Sequence, residues 1–401
     1  MLTLQRTRRL AVVREAFRAR QRKRRMLLVF INRLLEERSK KKARRKRRAW
    51  AWPRNQNWFE LLLREPSLDS CWQEHFRVKR QTFEFLCDLL RTDLQRQDTR
   101  MRKATCVEKK ILVGLWRLAT GESFEKCGER FALGKSTCKT AFKSFEEGLL
   151  KRKDSFIKFP LTSEEIKDKI NSFEELYGIP QIVGAIASHH IEMHTPSDNQ
   201  EDYLDHKQRY SSILQVIADS DFRFIYVAPG FPGSFSDANV LKLSGFHEQA
   251  KSQQILAAPT RKLSGIDIRP LIVGGKGFSL SSWMVKPYAA EELDNLTPEQ
   301  RKFNTKLCAC RSVAKRALDL LKARFGLVVK KTEQKVDSLS KTLTAACVLH
   351  NLCIDRGDIY PIKDISEDNL EEDSDSEEGI EGTENGEAIR KLLRDYVCEN
   401  I

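Results

Sequence analysis

The chain has 401 residues, 40% of them hydrophobic, which is enough for one large domain or two ordinary ones with tails. No apolar run approaches the ~18–20 residues needed to span a bilayer. The first residues alternate arginine with leucine and never build the apolar region of a secretory signal, so the chain is expected inside the cell. Its ten cysteines are then expected as free thiols, mostly buried. The net charge of +15 is unevenly spread: residues 1–50 carry +17, residues 364–401 carry −11, and the span between them +9. A basic arm, a mildly basic globule and an acidic tail point to a polyanionic partner, nucleic acid before an acidic membrane surface.

In chain order, the arm comes first. Lys40, Lys41, Lys42, Arg44, Arg45, Lys46, Arg47 and Arg48 place eight positive charges in nine residues. Like charges at that density repel, so residues 1–53 are expected to be disordered when free. The cluster has the composition of a nuclear import signal. The nucleus is therefore the expected compartment, with the cytoplasm second.

Residues 54–155 read as a helical domain. Asn57–Arg64 is apolar-periodic and ends before Pro66, while Thr82–Leu90 and Val107–Ala119 carry apolar residues at i, i+3 and i+4. Gly121 ends the last of these. A short helix over Ser123–Phe131, a turn at Leu133-Gly134 and a helix over Thr137–Leu150, with Ser136 as its N-cap, give a helix-turn-helix pattern. Lys135, Ser136, Thr137, Lys139 and Lys143 at the start of that second helix are candidate DNA contacts, since short polar and basic side chains suit the major groove.

Residues 160–360 change character. Ile182–Ile186, Ser212–Ala218, Arg223–Val227 and Leu271–Val273 read as strands, with a short helix over Asp237–Leu243 and a long one over Glu299–Phe325. Strand, strand, strand, helix, strand, helix is the order of an RNase H-like α/β nuclease core. Thr342–Ile354 closes it as a buried helix; Cys347, His350 and Cys353 share one face there, as packed core or, less economically, as three metal ligands. Residues 361–401 form an acidic tail, expected to be disordered except for a short helix over Ala388–Tyr396.

Eight segments, in order, carry a resemblance: FRVKRQTFEFLC at 76–87, RLATGESFEKCGERFALGKSTC at 117–138, VGAIASHHI at 183–191, HKQRYSSILQVIAD at 206–219, PGSFSDANVL at 232–241, LIVGGKGFSLSSWMVKPY at 271–288, CRSVAKRALDLLKARF at 310–325 and ACVLHNLC at 346–353. Together they resemble the Harbinger/PIF-type transposase-derived nucleases of the DDE superfamily. The resemblance implies a metal-dependent endonuclease in which three carboxylates hold Mg²⁺ or Mn²⁺. It also implies a separate Myb-like DNA-binding protein as partner. This chain departs from the pattern where it matters: Ala187, Gly275 and Lys315 stand at the three positions where the family is expected to carry carboxylates.

Ala and Gly offer no ligand oxygen, and Lys315 adds a positive charge. A unit pair at ~4 Å interacts by roughly 4 kcal/mol at an effective dielectric of ~20, and a divalent ion doubles that with repulsive sign. No catalytic residue, metal or cofactor is therefore expected. The reading is a host-recruited, catalytically inactive nuclear protein that binds DNA, a protein partner or both. An active divalent-metal endonuclease and a structural adaptor without DNA contact are the alternatives. His190, Glu192 and His194 alternate along one extended segment and are the remaining group that could hold an ion, while Asp237 is read as capping or orienting the short helix it begins.

Overall fold

The computed structural model describes residues 57–65, 69–100, 103–196, 198–288, 296–360 and 383–400. The basic cluster at 40–48, the rest of the arm and the acidic stretch at 361–382 lie outside the described residues. No helix among the described residues is long and apolar enough to cross a membrane.

Among the described residues eight helices precede the first strand: α1 (Asn57–Arg64), α2 (Asp69–Phe76), α3 (Arg80–Leu94), α4 (Val107–Thr120), α5 (Phe124–Arg130), α6 (Lys135–Leu150), α7 (Lys153–Phe156) and α8 (Ser163–Tyr177). Helix α4 is buried almost all round, as its apolar run Ile111–Leu115 requires, and it is the axis of the group. Gly114 lets α6 come close: a Cβ there would lie 2.3 Å from the Phe145 ring. Gly121 ends α4 in the left-handed conformation at φ 66°, which costs glycine nothing. Ser123 caps α5 by accepting from Lys126 N.

Helix α6 corrects the expected cap. It starts at Lys135 behind Gly134, and Cys138 N donates to the Gly134 carbonyl, so Ser136 already lies inside the helix. Gly134 can take the extended cap conformation after Ala132, whose φ is +56°, has turned the chain. Helices α2 and α8 were not anticipated, although Thr162 and Glu165 form a capping box at the head of α8.

The sheet is built from β1 (Ile182–Glu192), β2 (Ser211–Ala218), β3 (Phe224–Pro232), β6 (Leu271–Val273) and β7 (Met284–Val285), with β4 (Arg261–Leu263) and β5 (Ile266–Ile268) forming a separate hairpin. Its order is β3-β2-β1-β6-β7; β1, β2 and β3 run antiparallel, while β6 pairs parallel with β1 and with β7. β1 runs six residues beyond its apolar head, because β2 continues alongside it as far as the Glu192–Ser211 pair.

Every residue of β2 is buried, so both faces of the sheet are covered. On one face Ala185, Ala187 and Ile191 meet Val313, Ala314, Ala317 and Leu321 of α11 (Pro298–Arg324). On the other, Val183, Ile186 and Ile217 meet Ile166 and Ile170 of α8, Leu241 of α9 (Asp237–Leu243) and Phe246 of α10 (Phe246–Lys251). Alternation along β1 thus divides its side chains between two apolar clusters.

Helix α12 (Val336–Asp355) joins the two parts. It packs against β3 and against α6, and its residues share one core with Phe145 and Leu149. Asn351 anchors it further: its side chain accepts from Phe224 N at 2.9 Å and donates to Phe224 O and Phe156 O at 2.8 Å each. Residues 55–401 accordingly form one compact unit. The last helix, α13 (Glu384–Asn400), is longer than its sequence suggested, because Ile389, Leu393 and Val397 are buried against α11.

Candidate functional site

Two of the three positions singled out in the sequence stand side by side where β6 ends beside the middle of β1. The parallel register of β1 and β6 pairs Ala185 with Val273, so two residues further on Ala187 stands level with Gly275. Ala187 is 7% exposed and belongs to the cluster that packs on α11. Lys315 lies in the middle of α11, half-buried, between the buried Ala314 and the exposed Arg316.

What lies against Gly275, where a side chain would begin, is a guanidinium. A Cβ built on Gly275 would meet Cζ, Nε and Nη2 of Arg311 at 3.2 Å each. Arg311 lies four residues before Lys315, so the two side chains project from one face of α11 a turn apart. Lys276 follows directly, and the Lys286 ammonium donates to the Lys276 carbonyl at 3.2 Å.

These residues do not fit a divalent ion. Mg²⁺ and Mn²⁺ need anionic oxygen donors. The three positions supply a methyl, a hydrogen and an ammonium, with a second cation against the glycine. Among the described residues there is no group of three or more His, Cys, Asp or Glu that could hold a metal.

Asp219, Asp205 and Glu192 are committed elsewhere. Asp219 is fully buried in the β2–β3 turn; its Oδ1 accepts from Asp221 N and Arg223 N, and its Oδ2 from the Lys169 ammonium at 2.8 Å. Asp205, 2% exposed, likewise ties its own loop through Lys207 N and Arg209 N. Glu192 pairs with Lys331 at 3.0 Å. Asp237 is the first residue of α9 but not its cap, which is Ser236, accepting from Asn239 N. Asp237 does border the cation cluster: a Cβ at Gly277 would lie 3.9 Å from its Cβ. Gln215, buried on β2, donates to Ser188 Oγ and to the Asp237 carbonyl and so fixes the start of α9 to the sheet.

Neither histidine group reads as a ligand set. On β1, the imidazole of His190 contacts Ser211 Oγ at 3.0 Å. His189 has a buried Nε2, and burial, with Lys322 nearby, lowers its pKa to about 3, so its ring is neutral at physiological pH. Helix α12 places Cys347, His350 and Cys353 together in the core. Burial pushes the Cys347 thiol up and the Cys353 thiol to about 12, and lowers His350 to about 4. The His350 Nε2–H donates to the Phe222 carbonyl at 2.9 Å. Thiols held so firmly in the protonated form pack as small apolar groups.

Of the candidate DNA contacts, Lys135, Ser136, Lys139 and Lys143 are exposed on one side of α6 and Thr137 is half-buried, while Cys138, Ala141, Phe142 and Phe145 hold the opposite side in the core. Lys135 forms an ion pair with Glu125 and Lys143 one with Glu147 at 3.8 Å. This basic face is thus distinct from the one on α11. Sequence reasoning missed Arg311; the signal was its i, i+4 spacing to Lys315 in Arg311-Ser312-Val313-Ala314-Lys315.

A mixed five-stranded sheet with a long helix crossing one face is consistent with the α/β core of a DDE-type nuclease. Comparison with known proteins makes the assignment. The chain belongs to the DDE superfamily endonuclease family, whose model matches residues 186–351, within its Harbinger transposase-derived group. Its relatives include the antagonist of like heterochromatin protein 1 of Arabidopsis thaliana, 32% identical over 72% of this chain and 74% of the relative. An ALP1-like protein of the same plant is 31% identical over 71% and 70%. HARBI1 of Mus musculus, given by its name as a candidate nuclease, is 26% identical over 69% and 76%. No solved structure matches the chain.

Proposed function

We propose that this chain is a host-recruited transposase derivative that has lost catalysis and works in the nucleus as a binding protein for DNA, a protein partner or both. One observation carries the reading: Ala187, Gly275 and Lys315 offer no carboxylate, and the Arg311 guanidinium lies against the glycine. The two-ion mechanism needs a dense set of oxygen ligands at that point. A fixed cation there repels the ions instead. Three antiparallel strands, then helices α9 and α10, the parallel strand β6 and the long helix α11 support an RNase H-like origin. The basic helix α6 supports DNA contact, and the arm at 40–48 supports nuclear import. The name of the plant relative, an antagonist of a heterochromatin protein, supports a role at chromatin.

The deciding experiment is Mn²⁺ calorimetry on the full chain beside the triple variant Ala187→Asp/Gly275→Asp/Lys315→Glu, with plasmid nicking in Mg²⁺ and in Mn²⁺. The natural chain is expected to bind no ion and to leave supercoiled plasmid intact, while the triple variant gains ion binding. Micromolar Mn²⁺ binding or nicking by the natural chain overturns the reading.

A further inference from the structure

We infer that the former metal centre is now an anion site for a phosphodiester, in which the Arg311 guanidinium and the Lys315 ammonium stand in for the metal ions. The inference rests on the reading of a lost metal centre and goes further by naming what that same place binds.

Four observations carry it. First, the guanidinium atoms occupy the space beside Gly275 where a side chain would begin, at 3.2 Å from the Cβ position. That places a planar fork of donors at the end of β6, and a guanidinium fork matches a phosphate through two parallel hydrogen bonds. Second, Lys315 projects from the same face of α11 one turn on, about 6 Å along the axis, which is a separation two neighbouring phosphate oxygens or adjacent phosphates can bridge. Third, Lys276 and Lys286 stand next to Gly275, fixed to each other by the bond from the Lys286 ammonium to the Lys276 carbonyl. Fourth, the loop carrying these groups is Gly274-Gly275-Lys276-Gly277, whose last glycine meets only Asp237 Cβ, at 3.9 Å. Packing does not force a glycine there; the small residue keeps the approach to the cluster open. Asp237 is an acid that borders the group.

The cluster stands where β6 ends beside the middle of β1. Lys276, Lys286, Arg311 and Lys315 are all half-buried, which shields them less than full burial yet reduces screening by salt. An extended polyanion suits such a cluster better than a compact carboxylate, because the cations come from three separate segments of chain. A nucleic-acid backbone is therefore the favoured source, and free inorganic phosphate is the other source of the same chemistry.

The test uses the full chain and a fluorescent 30-base-pair duplex, titrated between 50 and 300 mM salt. The double variant Arg311→Ala/Lys315→Ala is compared with the conservative pair Arg311→Lys/Lys315→Arg and with the helix variant Lys135→Ala/Lys139→Ala/Lys143→Ala. Each neutralised phosphate contributes about 0.9 to the slope of log K against log salt. The alanine pair is expected to lower that slope by about 2 and to weaken binding at least tenfold at 150 mM salt, with most of the loss recovered in the conservative pair. Melting temperature in 10 mM phosphate against 10 mM chloride is read on the same proteins; it reports the anion site independently and shows that each variant folds. Duplex binding with a slope unchanged in the alanine pair overturns the inference and leaves the inactive, DNA-binding reading standing. No duplex binding by the natural chain, with phosphate protection that the alanine pair loses, supports the anion site with free phosphate as its source and overturns DNA contact. Neither duplex binding nor phosphate protection overturns both.

Discussion

At the scale of single residues, Arg324 and Asp358 show how strongly this chain commits its buried charges. Their side chains are 6% and 0% exposed and lie 3.6 Å apart. Arg324 also donates to the carbonyls of Arg77 and Asp358, and Asp358 Oδ2 accepts from Lys79 N at 2.6 Å. The pair therefore fastens the turn between α2 and α3 to the end of α11. Removing one partner strands the other in the core, which typically costs about 3–5 kcal/mol. Arg324→Ala is expected to lower the unfolding free energy read from urea denaturation by that amount, whereas the exposed pair variant Lys143→Ala changes it by less than ~1 kcal/mol. Gly114→Ala is a second expected loss, about 1–3 kcal/mol, since its Cβ would enter the space of the Phe145 ring. The glycine was visible in the sequence and its reason was not: only the packing of α6 on α4 brings Phe145 to it.

At the scale of elements, the contact between α6 and α12 carries a titration. Burial pushes the Glu146 carboxyl up to about 7, opposed by its contact with the Thr342 hydroxyl and by Arg117. Thr342 Oγ1 also lies 3.0 Å from Gln334 Oε1 and 3.0 Å from the Ser338 carbonyl, so it has more acceptors around it than protons to give. A protonated Glu146 relieves this by donating to Thr342. The folded chain holds that proton more tightly than the unfolded chain, whose carboxyl titrates near 4.5. The stabilisation is complete below about pH 4.5 and is lost as pH rises through about 7, because the native state binds the extra proton in that window. Glu146→Gln is expected to flatten the stability profile between pH 5 and 7 and to raise stability at pH 8 by on the order of 1–2 kcal/mol. A chemical-denaturation series across that pH range decides it; a parallel slope in both proteins refutes the assignment.

The elements themselves were legible where the chain punctuates them. Gly121 marked the end of α4, and Gly274-Gly275 marked the end of β6 although that strand is only three residues long. Helix α8 was not read, even with its Thr162–Glu165 capping box, because charges interrupt its apolar stripe of Ile166, Ile170 and Phe173. The site was half legible. The absence of acidic side chains at 187, 275 and 315 is visible in the sequence, but the presence of Arg311 beside Gly275 depends on which face α11 turns to the sheet. Glu146 and Thr342 lie 196 residues apart, beyond any local pattern.

At the scale of the whole molecule, the helical part and the sheet are not separable pieces. Helix α12 buries Leu343, Ala346 and Cys347 in the core that also holds Phe145 and Leu149 of α6. A fragment limited to residues 160–360 exposes that face of α12 to water, and each large apolar side chain so uncovered costs about 1.5–3 kcal/mol. Such a fragment is expected to aggregate or to lack fixed tertiary structure, while the intact unit unfolds in one calorimetric transition with equal van't Hoff and calorimetric enthalpies. Two resolved transitions are the contrary result.

Because α12 belongs to both parts, the lysines on α6 and the cations on α11 ride on one frame, as two jaws of a fixed gauge. A duplex that touches both is measured as well as bound. One inserted base pair between the two contacts advances the backbone about 3.4 Å and turns it about 34–36°, a misfit that the duplex meets only by bending or untwisting at a cost. Spacing, more than base identity, is then the quantity such a frame discriminates.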